Sequence, residues 1–149
     1  MKDAFFRAGV GAVILDAERR MLVLKRKGVI DGAWQLPQGG IKAGEQPLDA
    51  IYREIHEETG LERGDVHVVR EAPDWWVYEV PIEFRNSKVG WGQVQRWFLC
   101  QLTTSPAAVR PDQTEVTAAE WVTAERLLAR AVSFRLPIYR RLVAEFELR

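Results

Sequence analysis

Three glutamates, Glu54, Glu57 and Glu58, fall at positions i, i+3 and i+4 of the stretch Arg53-Glu54-Ile55-His56-Glu57-Glu58. In a helix such residues share one side, so the three carboxylates crowd together and repel one another. One outcome is a solvated acidic face, in which water and salt screen the repulsion. The other is a cation site: carboxylates this close are hard to keep ionised together without positive charge, and hard oxygen donors suit Mg²⁺ or Mn²⁺. The preceding segment favours the cation site. From Gly28 to Gly44 it holds five glycines and Pro37 around Trp34-Gln35-Leu36. That density of breakers excludes a regular helix and implies a shaped loop, whose backbone can approach a metal-bound phosphate chain where a side chain would obstruct. Carboxylates beside such a loop point to phosphate chemistry. Glu45, just before the helix, can reach the same region.

The elements that must hold these residues are legible in outline. Pro47 suits a first helical position, Leu48, Ile51, Tyr52, Ile55 and Thr59 recur on one side, and Gly60 ends the pattern. This predicts a helix over 47–59 with the acidic cluster well away from its apolar stripe. Val10–Leu15 and Met21–Lys25, joined by the polar segment Asp16–Arg20, predict a hairpin. Val66–Val69, Trp75–Val80 and Val94–Leu99 have the branched and aromatic content of strands, with Gly90-Trp91-Gly92 as a turn. Thr123, after the apolar pair Trp121-Val122, would cap a helix over 124–131, and Pro137 would open a last helix toward Phe146.

With 149 residues, 47% hydrophobic and 28% charged, the chain is expected to form a single domain over 1–149. Lys and Arg number 21 and Asp and Glu also 21, so any attraction to polyanions must come from local clusters. The single cysteine, Cys100, lies in an apolar run and is read as a small buried hydrophobe, not a nucleophile. The first residues lack the pattern of a signal peptide, and no apolar stretch approaches the ~20 residues of a membrane span. A cytoplasmic protein is expected, with no membrane partner and no obligate protein partner.

Gly39, five residues, Glu45, seven residues and then Arg53-Glu54-Ile55-His56-Glu57-Glu58-Thr59-Gly60-Leu61 fill every defined position of the Nudix box. The chain therefore resembles the Nudix hydrolases. The resemblance implies an α/β fold, with a mixed sheet sandwiched between helices and the box as loop, helix, loop. It also implies metal-dependent hydrolysis of phosphoanhydride bonds, with Glu54, Glu57 and Glu58 as metal ligands. Arg53 would orient a glutamate, and Gly39, Gly40 and Gly44 would shape the loop. Gln38 and His56 occupy loosely constrained positions, and His56 reads as a solvent-facing helical residue.

Beyond the box, Trp34-Gln35-Leu36-Pro37-Gln38-Gly39-Gly40-Ile41 is similar to the loop of bacterial RNA pyrophosphohydrolases and of asymmetrical dinucleoside tetraphosphate hydrolases. The likeness extends to Phe6–Gly11, Trp76–Tyr78, Gly92–Phe98, and Val132–Arg135 followed by Val143–Phe146, and so covers nearly the whole chain. It implies that Glu115 contacts metal or activates water, so that Glu57 and Glu115 are both candidates for the general base. It further implies that Arg7, Lys25 or Arg26, Tyr78 and Arg135 contact phosphate or the terminal base, with Phe134 supplying a stacking face. Tyr78 and Phe134 are equally open to a packing role. The stretch Lys27–Ala33 looks longer than in the RNA enzymes, and their basic tail does not follow Phe146. Dinucleoside polyphosphates are therefore expected as substrates ahead of a 5′-polyphosphorylated RNA end. A housecleaning hydrolase of modified nucleoside triphosphates, an inositol pyrophosphate hydrolase and a non-catalytic binding module stay open as alternatives. The last would be expected to have lost a box carboxylate, and none is missing.

Overall fold

The computed structural model describes residues 4–27 and 34–149. The expectation of a lengthened stretch from Lys27 to Ala33 falls largely outside them. Eight strands form one mixed sheet: β1 (Phe6–Leu15), β2 (Met21–Arg26), β3 (Trp34–Gln35), β4 (Gln38–Gly40), β5 (Val66–Glu71), β6 (Trp76–Glu79), β7 (Gly92–Leu102) and β8 (Val116–Val122). The helices are α1 (Pro47–Thr59), α2 (Ala124–Arg130) and α3 (Leu136–Glu145).

The sheet is organised around the parallel pair β1 and β7, in register from Phe6↔Gly92 to Leu15↔Gln101. The outer edges of both strands are divided. β1 meets β2 only at Leu15↔Met21, while its other end pairs with β4 from Gly9↔Gly40 to Gly11↔Gln38. β7 pairs with β6 at its start and β5 at its end. The expected hairpin exists, but its arms separate at once and β2 turns to β8 and β3.

Alternation along the strands fills two cores. Val10, Ala12 and Ile14 face α1 and pack with Ile51, Ile55, Phe98 and Cys100. Val13 and Leu15 face the other way, with Trp76, Trp97, Leu127, Tyr139 and Leu142 under α2 and α3. Helices thus cover both faces, as expected. Cys100 is fully buried, and burial pushes its thiol up to about 12, which keeps it a packing residue.

Each helix forms where its end signals lie. Gly60 closes α1 in the left-handed region at φ 77°, its amide donating to the His56 carbonyl. The Thr123 side chain accepts from the Arg126 amide to cap α2. In the sequence only the pair Trp121-Val122 marks β8, and the residues of β3 and β4 have the composition of a loop. All three are recruited by pairing to β2 or β1, since they are too short or too polar to announce a period of their own.

One long-range tether links the α3 layer to the glycine segment. The Leu36 amide donates to the Tyr139 hydroxyl at 3.0 Å, and Tyr139 is fully buried. Replacing Tyr139 by Phe leaves that amide without its partner, at a cost of about 1–3 kcal/mol. Urea unfolding of Tyr139→Phe is expected to show a lower midpoint with an unchanged slope. An unchanged midpoint would mean that the tether carries no stability.

Candidate active site

The sheet opens where β4 leaves β1, and a cleft of about 630 Å³ lies there. Its walls include Arg7 from β1, Arg26 from β2, Gln38 and Gly39 from β4, Glu54 and Glu57 from α1, Tyr78 from β6, Gln93 from β7, and Glu115, Phe134 and Arg135 from connecting segments. Residues distant in sequence thus meet at one surface. Lys25 does not line it: neighbouring residues of a strand point to opposite faces, and it is Arg26 that reaches the cleft.

The three helix glutamates are graded in burial. The Glu57 side chain is 50% exposed, that of Glu54 13% and that of Glu58 2%. The expected separation of acidic cluster and apolar stripe is therefore corrected. Glu58 stands three residues beyond the buried Ile55 and turns inward with it, whereas Leu48, assigned to the stripe, is largely exposed.

Two arginines hold the carboxylates. Arg53 donates through Nε and Nη2 to the two oxygens of Glu45 at 2.8 and 2.9 Å, through Nη1 to Glu54 at 2.7 Å, and through Nη2 to the Gly40 carbonyl at 2.7 Å. Nη1 also lies 3.3 Å from Glu57. The forked contact with Glu45 fixes the guanidinium plane, and with it both Glu54 and the glycine strand. Hydrogen bonds from Arg53 and the Lys42 amide hold the Glu45 carboxyl down at about 2, so this buttress stays ionised. Arg26 donates to Glu58 and, at 3.2 Å, to Glu115. It thereby ties the helix to the segment before β8.

Burial opposes ionisation at the two inner carboxyls. Desolvation raises the Glu54 pKa even though Arg53 pulls it down. It pushes Glu58 up to about 8, against Arg26 and the Gln38 amide, which donates to Glu58 at 3.1 Å. The glycines make this burial possible. A Cβ on Gly39 would collide with the Glu54 carboxyl group, and one on Gly40 with the Arg7 guanidinium. The glycine strand is thus gripped by an acid on one side and a base on the other.

His56 is solvent-facing as expected, with Nδ1 3.3 Å from the Leu61 carbonyl. Among the described residues no three acidic, histidine or cysteine side chains converge as they stand around a point suited to an ion, because the guanidiniums of Arg26 and Arg53 sit among the carboxylates. The donor set nevertheless fits a hard divalent cation: carboxylate oxygens, two of them from groups that burial penalises when charged.

Sequence reasoning gave no role to Gln35 or Gln93, whose side chains also border the cleft. A lone glutamine in a strand carries no signal until pairing shows its neighbours.

Comparison with known proteins agrees with this geometry. A family model described as NUDIX domain matches residues 5–142. The RNA pyrophosphohydrolase of Proteus mirabilis is 37% identical, covering 97% of this chain and 84% of that protein, and the RNA pyrophosphohydrolase of Edwardsiella ictaluri is 38% identical over the same shares. Among solved structures, a binary complex of the C. elegans Ap4A hydrolase superposes with a TM-score of 0.72 at 19% identity, covering 95% of this chain and 98% of that one. The E. coli dihydroneopterin triphosphate pyrophosphohydrolase gives 0.77 at 20% identity, over 93% and 97%. At such identity the superpositions speak for the fold alone.

The buried Glu58 makes stability depend on pH. Its carboxyl lies at about 8 in the folded protein against an ordinary 4.5. The folded state then binds a proton more tightly than the unfolded state, so stability falls as pH rises between those values. In excess chelator, urea melts across this range are expected to show declining stability, and Glu58→Gln, with no charge to bury, is expected to flatten the decline. The same slope in both proteins would contradict the assignment.

Proposed function

The chain belongs to the Nudix family and is a hydrolase of pyrophosphate bonds, and on that premise we propose that it cleaves dinucleoside polyphosphates, with 5′-polyphosphorylated RNA as a second substrate class. The observation that carries the proposal is one cleft combining carboxylates, the guanidiniums of Arg7, Arg26 and Arg135, and the paired rings of Tyr78 and Phe134. The rings are stacked with centroids 6.2 Å apart. Such faces hold a base at roughly 1–3 kcal/mol per stacked base, while the arginines suit a long polyanionic chain. The RNA pyrophosphohydrolase relatives support the second class. We read residues 1–149 as a single Nudix domain acting in the cytoplasm. Among the described residues no helix is long and apolar enough to cross a membrane.

Nudix hydrolases use divalent metal ions, and we propose Mg²⁺ or Mn²⁺ held by Glu54, Glu57, Glu58 and Glu115. Bound there, the ion would neutralise charge on the phosphate oxygens. The protein's own groups do the rest. Arg53 positions Glu54 and the Gly39-Gly40 backbone against which the chain would lie. Arg7 and Arg26 bind phosphate oxygens, and Gly39 and Gly40 keep the approach clear. Glu57 and Glu115, the two more exposed carboxylates of the cleft, are the candidates to take a proton from the attacking water. Attack is in line on one phosphorus, with a nucleotide phosphate leaving and no covalent enzyme intermediate.

Diadenosine tetraphosphate in water labelled with heavy oxygen is expected to yield ATP and AMP; two molecules of ADP would indicate a different binding register. A clear preference in kcat/KM for a modified mononucleoside triphosphate over every dinucleotide and RNA tested would overturn the substrate assignment. Full activity in excess chelator would exclude the metal site.

Loss of the general base costs about 10²–10⁴-fold. Of Glu57→Gln and Glu115→Gln, the variant that removes the base is expected to lose that much in kcat with KM little changed, measured on the same substrate. Near-normal turnover in both would remove both from the catalytic role.

A further inference from the structure

Four glutamines, Gln35, Gln38, Gln93 and Gln95, are among the few buried polar residues of the described chain. Two are joined, Gln95 Nε2 donating to Gln38 Oε1 at 3.2 Å, with Gln95 Oε1 buried beside them without a partner among the described residues. Gln93 is different. The residue is 6% exposed and borders the cleft, its side chain makes no hydrogen bond with the described residues, and its amide atoms still reach the cleft rather than being sealed in the core. An amide that the protein leaves unpaired at the wall of a cleft keeps its donors and acceptor for whatever displaces water there. Gln93 is therefore free to hydrogen-bond a group that enters the cleft.

Its neighbours indicate what. Arg7 on β1 pairs in register with Gln93 on β7, and Gln93 with Tyr78 on β6. The three side chains therefore form one row on the same face, and all three line the cleft. Adjacent strands are about 4.8 Å apart, which is also the scale on which phosphate, sugar and base follow one another in a nucleotide. A cation stands at one end of the row and at the other the largely buried ring of Tyr78, on which the more accessible ring of Phe134 stacks. Between them a neutral amide is a poor match for a phosphate and offers no stacking surface. It does offer one acceptor and two donors, the complement of a sugar hydroxyl that both gives and takes a hydrogen bond.

We infer that Gln93 binds the ribose 2′-hydroxyl of the nucleotide whose phosphates lie over Arg7 and whose base stacks at Tyr78, making the enzyme selective for ribonucleotides over deoxyribonucleotides. This rests on the substrate class proposed above. A site that hydrogen-bonds a substrate hydroxyl rejects the analogue lacking it, because its own polar group is then left without a partner.

The test compares kcat/KM for diadenosine tetraphosphate and its bis-2′-deoxy counterpart. The wild-type protein is expected to prefer the ribo substrate by roughly tenfold, the effect of one such hydrogen bond. In Gln93→Met, which keeps the unbranched shape without the amide, the preference should vanish through loss on the ribo substrate alone. Gln93→Asn, which retains an amide on a shorter arm, serves if the Met variant does not fold, and should reduce the preference. Equal rates for the two sugars in the wild-type protein, or an unchanged ratio in a folded variant, would overturn the inference while leaving the substrate class standing. So would a variant whose selectivity shifts between adenine and guanine dinucleotides but not between sugars. Absence of turnover on every nucleoside polyphosphate would contradict the substrate class, and this inference with it.

Discussion

Glu54 and Glu58 are taken out of water on the same helix that supplies Ile51 and Ile55 to the core, and much of the site answers that single fact. A carboxylate so placed must be neutralised, paired or protonated. Arg53 answers for Glu54 and Arg26 for Glu58. Neither arginine works alone. Arg53 is locked by Glu45, whose carboxyl stays ionised far below neutrality. Arg26 reaches Glu58 from a strand whose course is set by pairing with β8.

The same constraint dictates the glycines. Glu54 can pack against β4 only because position 39 lacks a Cβ, and Arg7 can approach from the other side only because position 40 lacks one. The Gly40 carbonyl is in turn taken by Arg53. Acid, base and backbone therefore form one assembly, and a side chain added at either glycine would disturb both charged partners. A divalent cation held at these carboxyls, as proposed, would offset the cost of ionising groups whose ionisation burial already resists.

How much of this was legible in the sequence varied with the kind of signal. Pro47, the apolar period and Gly60 fixed the extent of α1, because caps and period act locally. The spacing of Gly39, Glu45 and Arg53 through Glu58 identified the box; of the residues assigned by resemblance, Arg7, Arg26, Gly39, Glu54, Glu57, Tyr78, Glu115, Phe134 and Arg135 line the cleft, whereas Lys25, Gly40, Arg53 and Glu58 do not. Burial of Glu58 was not legible: a helical period places it at the margin of the apolar side, and only packing against Gln38 and Arg26 decides which way it turns. Lys25 and Arg26 were indistinguishable because both are basic residues at a strand end, next to an irregular step in its pairing with β8. Strands β3, β4 and β8 owe their form to partners far away in sequence. Gln93 acquires meaning only from the register that sets it between Arg7 and Tyr78.

The central claim is that the buried carboxylates accept a divalent cation in exchange for the charge balance Arg26 provides. The most direct measurement is anomalous diffraction from crystals loaded with Mn²⁺. The account predicts manganese bound by Glu54, Glu57 and Glu58 beside the Gly39-Gly40 strand, with Arg26 released from Glu58 toward the phosphate path. No manganese at these carboxylates at saturating concentration, with Arg26 still seated on Glu58, would contradict it.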